Sequence, residues 1–282
     1  MKLYVAGSDG FVGSAICTGS RHKTDIVGLS PISTPGSGRL DLLDLGQFDF
    51  GSLEPGSTVV FTAAISSPDK CSEAPEETAK INVQGTSLFI ENALGRGCRV
   101  IFFSSDVVFG HADTPPEEES PLCPFGIYGQ QKAEVEGRFR GEAEFKVVRP
   151  SYIVSIKDKF TSYLLNAAAL GRKAEVFHPF LRSAIHLDDV IETIDRLHEA
   201  WGAFRSPSIN LCGPRLVSRA DLAAMVKKVV APDLAFDAIP LSDAFLKSRP
   251  ARIHMKSNQI ETILGRPPLD IEAALAAELR RV

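Results

Sequence analysis

The sequence predicts an α/β fold, a doubly wound parallel sheet with a smaller C-terminal lobe. Three observations predict it. As far as Pro150, short apolar runs alternate with helical segments in the order strand, helix, strand, strand, helix, strand, helix, strand, which calls for a parallel sheet with helices on both faces. The runs are continuously apolar, as strands buried on both faces must be. A glycine-spaced turn, Gly7-Ser-Asp-Gly10-Phe-Val-Gly13, joins the first strand to the first helix.

Each element follows from its residues. Lys2 to Ala6 is the first apolar run, and Ser14 to Thr18 starts a helix. Asp25 to Leu29 (DIVGL) is a second strand, and Thr34 to Gly38, rich in Pro, Gly and Ser, is a loop. Ser57 to Ala64 (STVVFTAA) is a third strand. Glu76 to Leu94 reads as a helix, because Ala79, Val83, Thr86, Phe89, Ile90 and Ala93 share a face at a period of 3.6. Arg99 to Phe103 (RVIFF) and Phe145 to Val148 (FKVV) are strands, with a helix from Tyr128 to Arg140 between them. Asp113 to Pro124 is acidic and too proline-dense for a helix; it is read either as a solvated connection or as the lining of a site. Beyond Pro150, helices are expected at Asp188 to Trp201, Arg219 to Val230 and Leu269 to Arg281, the last announced by Pro267 and Pro268. The expected division is a sheet domain of residues 1–151 plus 184–213 and a lobe of residues 152–183 plus 214–282.

Composition narrows the function. The chain has 282 residues, 44% hydrophobic and 23% charged, with a formal net charge of -4, which is ordinary globular usage. No Lys/Arg block exceeds two residues, so a nucleic-acid partner is not expected. No apolar run nears the ~20 residues of a membrane span. The first strand begins at residue three, which leaves no room for a secretory signal and points to the cytoplasm. The five cysteines are odd in number and form no CxxC, so neither a disulfide framework nor a metal site is expected.

The glycine turn has the setting of a dinucleotide site, after a strand and at the mouth of a helix. Gly7 permits the tight turn, Gly10 lets backbone approach a pyrophosphate, and Gly13 lets helix and sheet pack closely. The alternative is a glycine-rich turn with no ligand. With the sheet that follows, the expected fold is of the Rossmann type and the expected cofactor NAD(H) or NADP(H). The second strand ends near Ser30 without the acid that holds a ribose 2′-OH. Ser30, Ser33 and Thr34 could bond a 2′-phosphate, although no arginine sits there, and this places NADP(H) ahead of NAD(H).

Tyr128-Gly-Gln-Gln-Lys132 puts a phenol and an ammonium on one helix face. A lysine beside a phenol lowers its pKa, so that it can exchange a proton with a carbonyl or alcohol while hydride moves. Ser104-Ser105-Asp106 follows the RVIFF strand, where parallel sheets bind ligands, and Ser105 would polarise the reacting oxygen. The alternative is a surface pair with a serine capping a strand end.

These residues resemble the extended short-chain dehydrogenase/reductases, which act mostly on nucleotide sugars. The resemblance rests on GSDGFVG, on TAA at Thr62 to Ala64 and on NVQGT at Asn82 to Thr86. It continues through FSSDVVFG at Phe103 to Gly110, YGQQK, RPS at Arg149 to Ser151, IHLDDV at Ile185 to Val190 and NLCG at Asn210 to Gly213. It implies that Gly7, Gly10, Phe11 and Val12 line the pyrophosphate, that Asp41 and Leu42 contact adenine, and that Ala63 and Ala64 pack on the adenosine side. It implies Ser105 and Tyr128 as catalytic, with Tyr128 and Lys132 holding the nicotinamide ribose. Asp106, Arg182 and Arg249 are the implied substrate-side residues, the arginines facing a diphosphate that their planar forks suit. Members commonly dimerise through two helices of the cofactor domain, so a homodimer is carried as an expectation.

Dehydratases of the family follow the Ser/Thr with Asp-Glu, the glutamate being the base for elimination. Here Asp106 is followed by Val107, so dehydration is disfavoured. The stretch is most similar to the dTDP-4-dehydrorhamnose reductase branch, Ser-Thr-Asp-Tyr-Val-Phe, and departs from it at Ser105 and Val107. The reading is therefore a 4-keto-sugar reductase. A nucleotide-sugar 4-epimerase with retained NAD, and a non-catalytic NADP-binding regulatory subunit, stand as alternatives.

Overall fold

The computed structural model describes residues 1–32 and 36–281. The sheet builds from β1 (Leu3–Ala6), which runs through the glycine turn into α1 (Phe11–Gly19), and then β2 (Ile26–Ser30), β3 (Ser37–Arg39) and β4 (Thr58–Phe61). After α2 (Pro68–Glu73), α3 (Pro75–Ala79) and α4 (Thr86–Gly95) come β5 (Arg99–Phe103), α5 (Gly126–Arg138) and β6 (Phe145–Pro150). Next are β7 (Ile153–Val154), α6 (Lys159–Ala169), β8 (Lys173–Phe177), β9 (Leu181–Arg182), β10 (Ile185–His186), α7 (Leu187–Glu199) and β11 (Ser208–Leu211). The chain closes with β12 (Val217–Ser218), α8 (Arg219–Val229), β13 (Ala235–Ile239), α9 (Asp243–Leu246), β14 (Arg252–Ile253), α10 (Ile260–Leu264) and α11 (Ile271–Leu279).

Seven strands form one parallel sheet in the order β11-β6-β5-β4-β1-β2-β3. This is the doubly wound Rossmann arrangement, whose order reverses at β1. Strand periodicity splits β1 between two cores. Leu3 and Val5 face a cluster with Ile16 of α1 and Val190 and Ile194 of α7. Tyr4 and Ala6 face the opposite cluster, with Phe89 and Ile90 of α4 and Val135 of α5. A third cluster gathers Leu164 of α6, Val176 of β8, Leu222 and Val226 of α8 and Leu275 of α11.

Two readings of the sequence need correction, and a third, left open, is narrowed. Ser37 and Gly38, read as loop, belong to β3. The strand is three residues without an apolar side chain, and backbone pairing with β2 alone defines it. The single helix from Glu76 to Leu94 is interrupted by a π-helical turn over Lys80–Gly85. Its wider coil turns Asn82 inward, where the amide accepts from the Ile65 N–H at 2.8 Å and donates to the Ile65 carbonyl at 3.1 Å. The acidic loop from Asp113 to Pro124 is solvated at Asp113, Glu117 and Glu119, but Glu118 is buried. Its carboxylate accepts from the Asn210 N–H, the Ser257 hydroxyl and the Asn258 N–H, and so pins the tail of the chain to the end of the sheet.

Candidate functional site

The glycine turn stands at the switch point of the sheet, between β2 and β4, where doubly wound sheets bind ligands. Gly7 has φ +88°, and its N–H bonds the Leu29 carbonyl at 2.8 Å. A Cβ on Gly13 would lie 2.1 Å from the Gly7 carbonyl oxygen, so only glycine lets α1 approach this closely. Gly10 caps α1 without a side chain, and the first turn holds no acid. Its N–H groups and positive dipole are thus left for an anion. These features fit a dinucleotide pyrophosphate.

The other adenosine-side residues lie just beyond neighbouring strands. Thr62 bonds the Ala6 carbonyl at 2.8 Å and holds Ala63 beside Gly7, with Ala64 next in the chain. Asp41 accepts from the Leu43 N–H at 2.9 Å, and the Leu42 carbonyl packs on Gly85. The Ser30 hydroxyl is buried and donates to the Ile32 carbonyl at 2.7 Å. Ser33 and Thr34 lie outside the described residues. The expectation that no arginine stands near Ser30 is overturned: parallel pairing sets Arg39 of β3 directly beside Ser30.

The second group forms at the end of β5. Ser105 caps a 3₁₀ turn over Asp106–Phe109. Asp106 is buried; it accepts from the Ser105 hydroxyl at 3.2 Å and the Ser151 hydroxyl at 3.0 Å. The Arg182 Nε stands 3.4 Å from the same carboxylate. Burial pushes the Asp106 carboxyl up, with Arg182 opposing. The first turn of α5 packs on the 3₁₀ turn through Gly129, where a Cβ would meet the Val107 carbonyl oxygen at 3.0 Å. This packing brings Tyr128 within reach of the Asp106 charge.

Lys132 is 2% exposed and donates to the Phe103 carbonyl at 2.7 Å. Its ammonium lies 5.8 Å from the centre of the Tyr128 ring. Burial lowers its pKa to about 7, with Glu136 and Cys71 opposing. The same burial, helped by Cys71 and Asp106, pushes the Tyr128 phenol up. The expected lowering of the phenol by lysine is therefore not seen: desolvation outweighs it, and Tyr128 keeps its proton. Asn82 bonds Gln131 of α5 at 2.8 Å, and Gln131 bonds Thr78 at 2.9 Å, so the π-helical turn fixes the helix that carries Tyr128 and Lys132.

The two arginines are already engaged. Arg182 is buried, donates to the carbonyls of Leu181 and Pro250, and stacks on Phe180; burial lowers its pKa to about 10. Arg249 forms a two-pronged pair with Asp69 of α2. Sequence reading missed Asp69, Ser151 and Arg39. Only Ser151 carried a signal, as the last residue of the RPS motif.

The family model for the RmlD substrate binding domain matches residues 1–282, and the chain belongs to that family. It is an extended short-chain dehydrogenase/reductase of the dTDP-4-dehydrorhamnose reductase-like branch. It is 26% identical over 196 residues to a dTDP-4-dehydrorhamnose reductase of Sinorhizobium fredii, a match covering 67% of this chain and 64% of that one. It is 33% identical over 78 residues to methionine adenosyltransferase 2 subunit beta of Xenopus tropicalis, which covers 28% of this chain and 23% of the subunit. The matches thus span less than two thirds of these relatives. The fold is shared with UDP-glucose-4-epimerase from Stenotrophomonas maltophila, solved with bound NAD and formylated UDP-arabinopyranose. There the TM-score is 0.84 at 18% identity, over 100% of this chain and 97% of that one.

Proposed function

We propose that this chain is an NAD(P)-dependent oxidoreductase that reduces the 4-keto group of a nucleotide-diphosphate sugar. The observation that carries the reading is geometric: Tyr128 and the buried Lys132 lie together, ammonium 5.8 Å from the ring centre, on a helix whose first turn packs against the 3₁₀ turn capped by Ser105. Reduction of a ketone needs a proton donor at the oxygen, and a tyrosine phenol, protonated at neutral pH, is such a donor. NAD(P)H, when bound, supplies the hydride. Gly7, the first turn of α1, Ala63, Ala64, Asp41 and Leu42 hold the dinucleotide. Ser105, whose one hydroxyl proton goes to Asp106 in the free site, turns that proton to the sugar oxygen when substrate is bound and polarises it. Tyr128 gives that oxygen its proton, and the Lys132 ammonium stabilises the phenolate left behind. Asp106 receives the serine proton in the free site and, when Ser105 turns to substrate, keeps Ser151 and Arg182 as its partners.

Residues 152–183 and 214–282 form the sugar-nucleotide lobe in this reading, with Arg182 and Arg249 toward the diphosphate. The rhizobial reductase supports the activity, and the missing acid at Ser30 supports NADP(H) over NAD(H). The test is consumption of NADPH on adding a 4-keto nucleotide sugar. Tyr128→Phe should lower turnover by roughly 10³-fold and leave NADPH binding, read by its fluorescence, unchanged. Unaltered turnover in that variant overturns the mechanism. Interconversion of sugars without net cofactor consumption marks an epimerase, and cofactor binding without either reaction marks a binding subunit.

A further inference from the structure

We propose that Arg39 is the specificity residue of the cofactor site, holding the 2′-phosphate of NADP(H) at the C-terminal end of β2. This rests on the dinucleotide reading above and adds the residue that chooses between the two cofactors. Three observations carry it.

The first is register. Ser30 and Arg39 are paired across the parallel strands β2 and β3, and neighbouring strands lie about 4.8 Å apart. Ser30 occupies the strand end where an NAD-specific site places a ribose-binding carboxylate. Arg39 is thus the residue next to that position.

The second is the face. Side chains alternate along a strand. A Cβ on Gly28 would meet the Ser8 side chain at 2.8 Å and the Cys17 sulfur of α1 at 3.8 Å, so Gly28 faces the glycine turn and α1. Ser30, two residues on, shares that face. A Cβ on Gly38 would meet Leu29 at 2.7 Å, so Gly38 faces the other way, and Arg39 returns to the face of Ser30 and α1. That is the face whose helix N-terminus is prepared for phosphate.

The third is availability. Arg39 is exposed and, among the described residues, its side chain makes no hydrogen bond or ion pair. The closest acid in sequence, Asp41, has its carboxylate on the Leu43 N–H. The Ser30 hydroxyl is turned in to the Ile32 carbonyl. Among the described residues the position therefore offers a guanidinium fork with no side-chain partner, a donor suited to two-oxygen recognition of a phosphate.

The test is calorimetric titration of the full chain with 2′,5′-ADP and with 5′-AMP, fragments that differ only in the 2′-phosphate. NADPH and NADH are measured alongside. Wild type should bind 2′,5′-ADP roughly tenfold or more tightly than 5′-AMP. Arg39→Ala should remove that difference while leaving 5′-AMP and NADH within about twofold, and Arg39→Lys should retain part of it. Ser30→Asp should reverse the preference by placing a carboxylate beside the same ribose. Equal affinity of wild type for the two fragments, or an unchanged ratio in Arg39→Ala, overturns the assignment while leaving dinucleotide binding intact. Failure of both NADPH and NADH to bind wild type overturns the dinucleotide reading and the assignment with it.

Discussion

Asp69 and Arg249 lie 180 residues apart and meet in a two-pronged ion pair, Nη1 to Oδ1 at 2.6 Å and Nη2 to Oδ2 at 2.7 Å. Ser248 joins them, its hydroxyl 2.8 Å from the same carboxylate. Arg182 grips the next residue along, the Pro250 carbonyl, so the segment 248–250 is held from both sides. The Ser248 carbonyl oxygen lies near Gly126, at the start of the helix that carries Tyr128. The hydrogen bond from Arg249 holds the Asp69 carboxyl down at about 2, so the pair is fully charged at neutral pH.

A guanidinium fork already filled by a carboxylate has to exchange it for a diphosphate. If Arg249 serves the substrate diphosphate, Asp69 competes with it, and Asp69→Asn should tighten binding of dTDP or UDP by roughly three- to tenfold. Titration calorimetry reads this directly. Weaker binding in Asp69→Asn would show that the carboxylate orients Arg249 rather than opposing the ligand.

The buried Lys132 carries a stability prediction with a definite sign. Burial holds its ammonium down at about 7 in the folded chain, below the ordinary lysine value of about 10.5. Between those values the unfolded chain binds more protons, so stability rises with pH through that window. Lys132→Met removes the titrating group. Wild type should therefore gain on Lys132→Met between pH 7 and pH 10, by about 2–4 kcal/mol at roughly 1.4 kcal/mol per unit. Below pH 7 the difference should level off. Urea unfolding of both proteins across this range checks it, and a gap that widens in favour of the variant as pH rises would contradict the burial argument.

The glycine turn allows an equally sharp test. Because a Cβ on Gly13 would stand 2.1 Å from the Gly7 carbonyl oxygen, Gly13→Ala must push α1 away from the sheet. Loss of NADPH affinity by at least roughly tenfold is expected, since the phosphate-facing N–H groups move with the helix. A fluorescence titration of NADPH measures it, and affinity within about twofold of wild type would show that the turn does not hold the cofactor.

What the sequence made legible was local. The glycine turn is seven contiguous residues; Tyr128 and Lys132 are one helical turn apart; Ser105 directly follows an apolar strand. Each of these groupings needs only the period of its own element. Arg39 was missed because β3 has no apolar side chain to announce it, and its position beside Ser30 exists only in strand register. Asp69 was missed because its partner comes from the far end of the chain. The protonation of Tyr128 was misjudged for a related reason: spacing shows the lysine near the phenol, whereas the desolvation that outweighs it comes from elements packed around both. Patterns within an element survive in the sequence, and contacts between elements do not.

Glu118 tests the same distinction in the acidic loop, which the sequence leaves open between a solvated connection and the lining of a site. Its carboxylate takes the Asn210 N–H at 3.1 Å, the Ser257 hydroxyl at 2.6 Å and the Asn258 N–H at 3.0 Å. Its own carbonyl accepts from Arg149 at 2.9 Å. Asn210 lies on β11, the edge strand of the sheet, whereas Ser257 and Asn258 belong to the tail just past β14. Glu118→Ala would leave two backbone N–H groups without their acceptor, at a cost of about 3 kcal/mol. Glu119→Ala, one residue along and exposed, should stay within about 0.5 kcal/mol. The tail pinned by Glu118 also carries Arg249, so in the proposed reaction Glu118→Ala should raise KM for the sugar nucleotide more than it lowers kcat. Urea unfolding and steady-state kinetics on the two variants separate these effects, and equal stability of the two would show that the buried carboxylate does not hold the tail.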